Sequence, residues 1–372
     1  MKEKLEILQV FVRTLRENHY SSIQYIPSRK SIWGLFKEFE NLVNLFSKKK
    51  HLLFYYSIYP GFYLNWIAKK DKNVVFFYKF CFLNQAFPLN IIQAYFDDDW
   101  ISEAVDKRIL VQKDNGTYEL LYSIIPIDRY FILRDSHHTY QYHEYDADKP
   151  QNRVYVGADS VKFAASNQKY LSGRKFKSVL ELGCGTGIQL ICIENLSEKV
   201  VGVDINSRAV EFTKLSVALN ELSEKIDAVQ SDLFGQLGET YDLILANPWF
   251  IDIEKAGLEE IPDIVQKLDE FLDPGGVFAI YFGSYIKDGI DQGRTILSQF
   301  ALEKGYDAVF YQLGRTVEPA FLTRYKVLNI SHIESYYALL TKSGTPQVRV
   351  VPPSIFRQFR DVIFLSLQRF LK

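Results

Sequence analysis

Three glycines stand at alternate positions in the segment Glu181-Leu182-Gly183-Cys184-Gly185-Thr186-Gly187, between an apolar run and a helical pattern. Glycine allows the sharp turn that joins a strand to a helix, and it lets a ligand approach the backbone without meeting a Cβ. A dinucleotide-binding turn would have its third glycine at position 188, where this chain has Ile188. The spacing therefore predicts a nucleotide-type ligand other than a dinucleotide, although a plain strand-to-helix turn is the alternative.

Polar residues follow the next three apolar runs, at the points where strands are expected to end. Asp204 follows the second run, and its carboxylate is placed there to accept both hydroxyl groups of a ribose. The alternative is a helix N-cap, a role that Asn206 could also fill. Asp232 follows the third run and Asn247 the fourth; a solvated turn residue and an Asn-Pro turn are the corresponding alternatives.

The elements that carry these residues alternate between strand and helix from about residue 178 to residue 340. Apolar strands in such an alternation indicate a mostly parallel sheet covered on both faces, and hence an α/β fold. Residues 1–50 have apolar stripes at helical spacing, and residues 74–135 have the pattern of three helices followed by a hairpin with an Asn115-Gly116 turn. That order is typical of a winged-helix fold.

The glycine turn resembles motif I of the class I S-adenosylmethionine (SAM) methyltransferases, in which the turn approaches the methionine part of the cofactor. The resemblance implies a Rossmann-like, seven-stranded methyltransferase domain with SAM as its cofactor. At Asp232 it implies an acceptor for the adenine amino group, with the next backbone N–H meeting the ring. The implied cofactor contacts are Glu181, Gly183, Gly185, Gly187, Asp204, Ile205, Asp232, Leu233 and Asn247.

The segment Asn247-Pro248-Trp249-Phe250 resembles motif IV, (N/D)-P-P-(Y/F), of methyltransferases that act on planar nitrogen, such as the release-factor glutamine methyltransferases. The resemblance implies that the Asn247 oxygen and the Pro248 carbonyl accept the two N–H bonds of the substrate, and that Phe250 stacks on the planar group. Such chemistry needs alignment and desolvation more than a strong base. Trp249 replaces the second proline, which predicts a narrower or differently shaped pocket, unless the indole is a core side chain under the loop.

Residues 152–165 resemble the stretch before motif I in bacterial "small-domain" methyltransferases, some of which carry an extra N-terminal domain. This similarity extends over about residues 70–340. It implies that Gly157 and Ser160 lie beside the cofactor, although a helix-capping role for Ser160 is an equal alternative.

Charge and composition restrict the partners. The chain has 44 basic and 45 acidic residues, and residues 75–135 hold nine acidic side chains against six basic ones, so nucleic acid is not favoured. Three cysteines argue against a disulfide framework and a thiolate zinc site. The polar cluster of His137, His138, His143 and Glu144 lacks the spacing of a metal site, so no metal is expected.

The pattern predicts four regions: a helical, winged-helix-like domain over 1–135, a linker over 136–153, a methyltransferase domain over 154–345 and a C-terminal amphipathic helix over 346–372 that packs on the core. No apolar run of about 20 residues and no signal-peptide pattern are present, so we expect a cytoplasmic protein without a membrane span.

We predict an enzyme that transfers the methyl group of SAM to a planar amide or amine of a small molecule or a protein side chain. Other SAM chemistry in the same fold, either intramolecular cyclisation or aminocarboxypropyl transfer, is one alternative. A non-catalytic SAM-binding module whose N-terminal domain contacts DNA or a partner is another.

Overall fold

The structure is a computed structural model that describes residues 2–22, 71–135, 154–235, 237–248, 260–316 and 329–353. Up to residue 135 its elements are α1 (Lys2–Glu17), α2 (Lys72–Phe77, continued by a π turn over Tyr78–Phe82), β1 (Phe87–Pro88), α3 (Leu89–Ile92), α4 (Asp98–Asp106), β2 (Leu110–Gln112), β3 (Thr117–Leu120), β4 (Tyr122–Ile127) and β5 (Tyr130–Asp135). From residue 154 they are α5 (Ala158–Tyr170), β6 (Phe176–Leu182), α6 (Ile188–Cys192), β7 (Ser197–Asp204), α7 (Ser207–Leu219), β8 (Ile226–Gln230), β9 (Tyr241–Ala246), α8 (Glu260–Phe271), β10 (Leu272–Lys287), β11 (Ile290–Asp291), α9 (Gln292–Lys304), β12 (Tyr306–Thr316), β13 (Ile330–Lys342) and β14 (Val348–Val351).

The described residues fall into two compact units, and the chain passes between them several times, first within α5. The first unit contains the N-terminal elements together with α6, α7 and β8, and the second contains the remaining elements. The first unit comprises the described residues within Met1–Lys162, Cys184–Cys192 and Asn206–Gln230. The second unit comprises those within Phe163–Gly183, Ile193–Ile205 and Ser231–Lys372. The four predicted domain limits stay predictions.

In the first unit, the helices predicted at the N-terminus and after the Asp triplet are confirmed. The apolar stripe of α1 is buried, and the Phe11 ring stacks on Trp100 with 5.5 Å between centroids. The Asp97 carboxylate begins α4 by accepting the Trp100 N–H at 2.8 Å. The Trp100 indole donates to the Ile7 carbonyl at 3.0 Å, which joins α4 to α1.

The predicted hairpin is also present, because β2 and β3 pair antiparallel on either side of Asn115 and Gly116. Strand β1 adds to β3 in the same sheet, and β4 pairs with β5 in a second one. The helical segments and the hairpin thus follow the predicted order, while the winged-helix assignment itself stays a prediction.

Helix α7 packs along one edge of β5 and satisfies part of its backbone. The Ser216 hydroxyl oxygen accepts the Leu133 N–H at 3.1 Å. Asn220, one helical turn later, accepts the Phe131 N–H at 3.0 Å and donates to the Phe131 carbonyl at 2.7 Å. Side chains four residues apart lie on one face of a helix, so this stripe replaces the hydrogen bonds that a further strand would make.

In the second unit, the described strands form a sheet in the order β14-β12-β13-β10-β9-β6-β7. Strands β7, β6, β9 and β10 are parallel, and β13 runs antiparallel to both of its neighbours. The central strands are buried along almost their whole length, as expected of parallel strands covered on both faces. This confirms the predicted α/β fold with a mostly parallel sheet.

One part of the predicted C-terminal helix is wrong. Residues Val348–Val351 form β14, which pairs parallel with β12. The β-branched valines favour a strand over a helix, and Pro352 and Pro353 then supply no N–H to extend the ladder. The rest of that segment lies outside the described residues, as do most of the predicted linker and the predicted helix around residues 32–46.

Among the helices that the structure describes, none combines the length and the apolar character needed to cross a membrane.

Asp269 joins α8 to two strands of the sheet in the second unit. Its carboxylate accepts the Tyr306 hydroxyl at 2.7 Å and pairs with the Lys342 ammonium at 2.9 Å. Partial burial alone raises the pKa of Asp269, but the Tyr306 hydrogen bond and the Lys342 charge outweigh that effect and hold the pKa below its ordinary value. The folded protein therefore binds this proton more weakly than the unfolded chain does.

We expect Asp269→Asn to lower the free energy of unfolding by about 1–2 kcal/mol at pH 7, the usual range for such a hydrogen-bonded ion pair. Because the folded pKa lies below the unfolded value, the wild-type advantage is present above about pH 4 and is lost as the pH falls through the folded pKa. Urea unfolding at several pH values measures this. Asp263→Asn, on the exposed face of the same helix, is the control. Equal stability of the two variants at pH 7 would contradict the assignment.

Candidate functional site

The carboxyl ends of three neighbouring strands carry three of the predicted site residues. Strands β7, β6 and β9 are in register, and the last residue pairs between them join Val203, Leu182 and Ala246. The residues that follow this row are Asp204, Gly183 and Asn247, so they lie side by side at the sheet edge. With about 4.8 Å between neighbouring strands, the backbones of Asp204 and Asn247 are roughly 10 Å apart. Open α/β sheets bind their ligands at this edge.

Asp232 extends the row on the far side of Asp204. The Ser231 N–H donates to the Asp204 carbonyl at 3.0 Å, which places the next residue beside that strand end. The Ser231 hydroxyl donates to the Leu233 carbonyl at 3.2 Å, and Leu233 has φ +47°, a conformation that costs energy for a leucine. The turn thus holds the Leu233 backbone in a fixed position next to the Asp232 carboxylate.

Ile205, which follows Asp204, leaves 68% of its surface exposed. An exposed isoleucine beside a carboxylate offers an apolar surface for a planar ring next to an acceptor for hydroxyl groups. Asp204 is therefore followed by the exposed Ile205, and Asp232 and Leu233 lie in the adjoining turn. Residues of these types fit the adenosine part of the predicted cofactor.

The glycine turn has the backbone that the sequence predicts. Gly183 and Gly185 have φ +70° and +55°, and a Cβ added at either residue would meet none of the described atoms within 4 Å. Glu181, two residues before the turn, is buried in β6. A backbone with open space in front of it can be approached closely by a ligand, so these residues fit the predicted cofactor.

Gly187 is required for packing. A Cβ there would lie 2.9 Å from Thr213 Cγ2 and 3.4 Å from Thr213 Cα on α7. The same threonine donates its hydroxyl to the Gly185 carbonyl at 3.0 Å. Helix α7 therefore rests directly on the last part of the turn, a contact that no sequence signal indicated.

Gly157 and Ser160 lie at the start of α5. The Gly157 N–H donates to the Ser160 hydroxyl oxygen at 3.4 Å, so Ser160 has the geometry of a helix-capping contact. The Ser160 carbonyl accepts the side-chain amide of Gln189 at 2.8 Å. Gln189 is buried on α6. The sequence patterns do not predict this contact, and the only signal for it is a polar residue within an apolar helical pattern.

Part of the predicted acceptor site lies outside the described residues. Asn247 is half-buried and Pro248 is buried, whereas Trp249 and Phe250 are not among the residues described, so the predicted pocket shape stays a prediction. The histidine cluster at 137–143 lies outside as well. Within the ranges that the structure does describe, no three His, Cys, Asp or Glu side chains are grouped as a metal site requires.

Residues 167–297 match the family model of the methyltransferase small domain. This part of the chain is thus similar to the methyltransferase small domain, which confirms the resemblance that the glycine turn and motif IV indicate.

Three relatives match parts of the domain. A provisionally named protein N5-glutamine methyltransferase of Methanocaldococcus jannaschii is 35% identical over 36% of this chain and 58% of its own length. Ribosomal RNA small subunit methyltransferase C of Mannheimia succiniciproducens is 29% identical over 35% of this chain and 41% of its own. Release factor glutamine methyltransferase of Rhodopirellula baltica is 33% identical over 27% of this chain and 34% of its own. The matches thus cover between 34% and 58% of the length of these three relatives, and the relatives' names refer to different acceptors.

We expect Gly187→Ala to destabilise the domain by about 2–4 kcal/mol, because the left-handed φ of +76° and the overlap with Thr213 both oppose a methyl group. Gly185→Ala is the matched control; it meets the φ penalty of about 1–2 kcal/mol in open space. Denaturant unfolding compares the two variants. Combining Gly187→Ala with Thr213→Ser, which removes Cγ2 and keeps the hydroxyl, should recover part of the loss. Equal costs for the two alanine variants would show that the Thr213 contact is unimportant.

Proposed function

We propose that this chain transfers the methyl group of SAM to the planar amide nitrogen of a protein side chain. The observation that carries the proposal is the row of Asp204, Gly183 and Asn247 at adjacent strand ends. Along this row, Asp204 would accept the ribose of a nucleoside, the glycine turn would leave room for the reactive end of the cofactor, and the Asn247 oxygen would accept from the nitrogen that is methylated.

The cofactor side of this row consists of complementary groups. The Asp204 carboxylate would accept the ribose hydroxyls, and Ile205 would cover one face of the adenine. Asp232 and the Leu233 N–H would meet the edge of the ring. The backbone at Gly183 would leave room for the methionine part. When bound, SAM supplies a methyl group made electrophilic by its sulfonium.

The residues that would bind the methyl acceptor have to activate a weak nucleophile. The lone pair of an amide nitrogen is delocalised, and the nitrogen attacks only when its geometry is changed. The Asn247 oxygen and the Pro248 carbonyl would accept the two N–H bonds, hold the nitrogen at the end of the row and turn its lone pair outwards. Acceptors fixed before the reaction contribute most when they face the group on which charge changes.

Two observations support a protein side chain over a nucleic acid. The chain has a net charge of −1, and α4 begins with consecutive aspartates that would repel phosphates. The relative from Methanocaldococcus jannaschii, at 35% identity, carries a name that refers to a protein glutamine as the acceptor. A release-factor peptide with a central glutamine is therefore the first substrate to assay, with S-adenosylhomocysteine as the expected product. Release of methylthioadenosine instead would indicate other SAM chemistry.

Asp204→Ala should weaken binding of S-adenosylhomocysteine by about 1.5–3 kcal/mol, because it removes hydrogen bonds to a charged group. Isothermal titration calorimetry measures the affinity. Glu198→Ala, at the exposed amino end of the same strand, should bind as the wild type does. If the wild-type protein binds NADH tightly and does not bind SAM, the cofactor assignment is overturned.

Asn247→Ala should lower turnover by about 10²–10³, the loss typical of removing one positioned polar group, while the affinity for S-adenosylhomocysteine stays within about twofold. Asn247→Asp keeps an oxygen acceptor, as motif IV permits, and should retain more activity than the alanine variant. Initial rates on a methyl-accepting substrate decide this. Full activity of Asn247→Ala would place the reacting nitrogen elsewhere.

A further inference from the structure

Asp135, at the end of β5, belongs to neither sequence motif, yet it is a buried carboxylate with partners on two other segments. One oxygen, Oδ2, accepts the Val154 N–H at 2.8 Å, and the Asp135 N–H donates to the Val154 carbonyl at 2.8 Å. The other oxygen, Oδ1, forms a hydrogen-bonded ion pair with the Arg208 guanidinium. We propose that Asp135 is a positioning residue for the cofactor-binding residues of the first unit, an inference that rests on the proposed SAM binding.

The first of these connections leads to Gly157 and Ser160. Val154 stands three residues before Gly157, and the short segment between them enters α5. The Ser160 carbonyl is held in turn by the Gln189 side chain on α6, the helix that begins directly after the glycine turn. Holding Val154 therefore fixes one end of a segment whose other end is tied to the turn.

The second connection leads to the same turn from the opposite direction. Arg208 lies in the first turn of α7, and Thr213 on the same helix bonds to the Gly185 carbonyl and packs against Gly187. Asp135 therefore closes a ring of contacts that runs from Val154 through Ser160 and Gln189 to the glycine turn, and back through α7. The implied cofactor residues of this unit, Gly157, Ser160, Gly185 and Gly187, all lie on that ring.

A role in positioning differs from a role in stability alone. Ser216 also joins α7 to β5, two helical turns from Arg208, through the bond from the Leu133 N–H. Its contact holds the same helix to the same strand, but Ser216 has no bond to Val154. Loss of the Ser216 hydroxyl should thus lower stability and leave the ring intact. Loss of the Asp135 charge should open the ring, because Arg208 then loses its ion pair and Val154 is no longer held by a charged acceptor.

The test compares Asp135→Asn with Ser216→Ala in the full chain. Calorimetric titration with S-adenosylhomocysteine, well below the thermal midpoint of each variant, should give an affinity for Asp135→Asn about tenfold weaker than wild type, the equivalent of one lost hydrogen bond to the ligand. Ser216→Ala should lower the thermal midpoint and keep the wild-type affinity. Arg208→Gln, at a side chain that is 43% exposed, breaks the same pair from the other partner and should weaken binding similarly. The double variant that combines Asp135→Asn with Arg208→Gln should lose less binding free energy than the sum of the two single losses, since both changes open the same ring of contacts.

Wild-type affinity in Asp135→Asn, or equal weakening in Ser216→Ala, would overturn the positioning role. Failure of the wild type to bind S-adenosylhomocysteine at all would instead overturn the proposed function. Arg208→Lys adds a final discriminating readout, because it keeps the positive charge and should recover part of the affinity that Arg208→Gln loses.

Discussion

The in-register pairing of β7, β6 and β9 is the constraint on which the candidate site depends. When parallel strands end at the same level, the residues that follow them lie side by side. The pairs through Val203, Leu182 and Ala246 therefore bring three residues that are distant in the sequence to one edge of the sheet. A shift of the register by one residue would turn each of these side chains to the other face of the sheet. The register of these pairs therefore sets the spacing of the site.

Helix α7 links the glycine turn to the N-terminal elements. The helix bonds to the end and edge of β5 through Arg208, Ser216 and Asn220, while Thr213 contacts the turn. The contacts are polar and directional, so they restrain orientation as well as distance. The N-terminal elements of the first unit therefore belong to the same compact unit as two of the three glycines.

The residues proposed to bind the methyl acceptor restrict the identity of their ligand less than the residues proposed to bind the cofactor do. In the proposed function, Asp204, Asp232 and the glycines would meet parts of a cofactor that is the same for every methyl acceptor. Asn247 and Pro248 would serve any planar nitrogen with two N–H bonds. The choice among such nitrogens would then depend on the residues that shape the acceptor pocket, and Trp249 is the position at which this chain departs from the motif IV pattern. Relatives named for a glutamine and for a ribosomal RNA differ in the acceptor while sharing the domain.

The order of strands and helices, the parallel sheet and the site positions at strand ends could be predicted from the sequence, because they depend on local patterns. Hydrophobic periodicity identifies buried strands, and glycine spacing identifies a turn whose backbone must take positive φ. The strand at Val348–Val351 was not predicted, because a strand of four residues depends on the neighbouring strand β12 for its hydrogen bonds. The contacts of Gln189 with Ser160, Thr213 with Gly185 and Asp135 with Arg208 join residues 28 to 73 positions apart. Only the tertiary structure decides such pairs, because side chains that meet through packing leave no periodic signal in the chain.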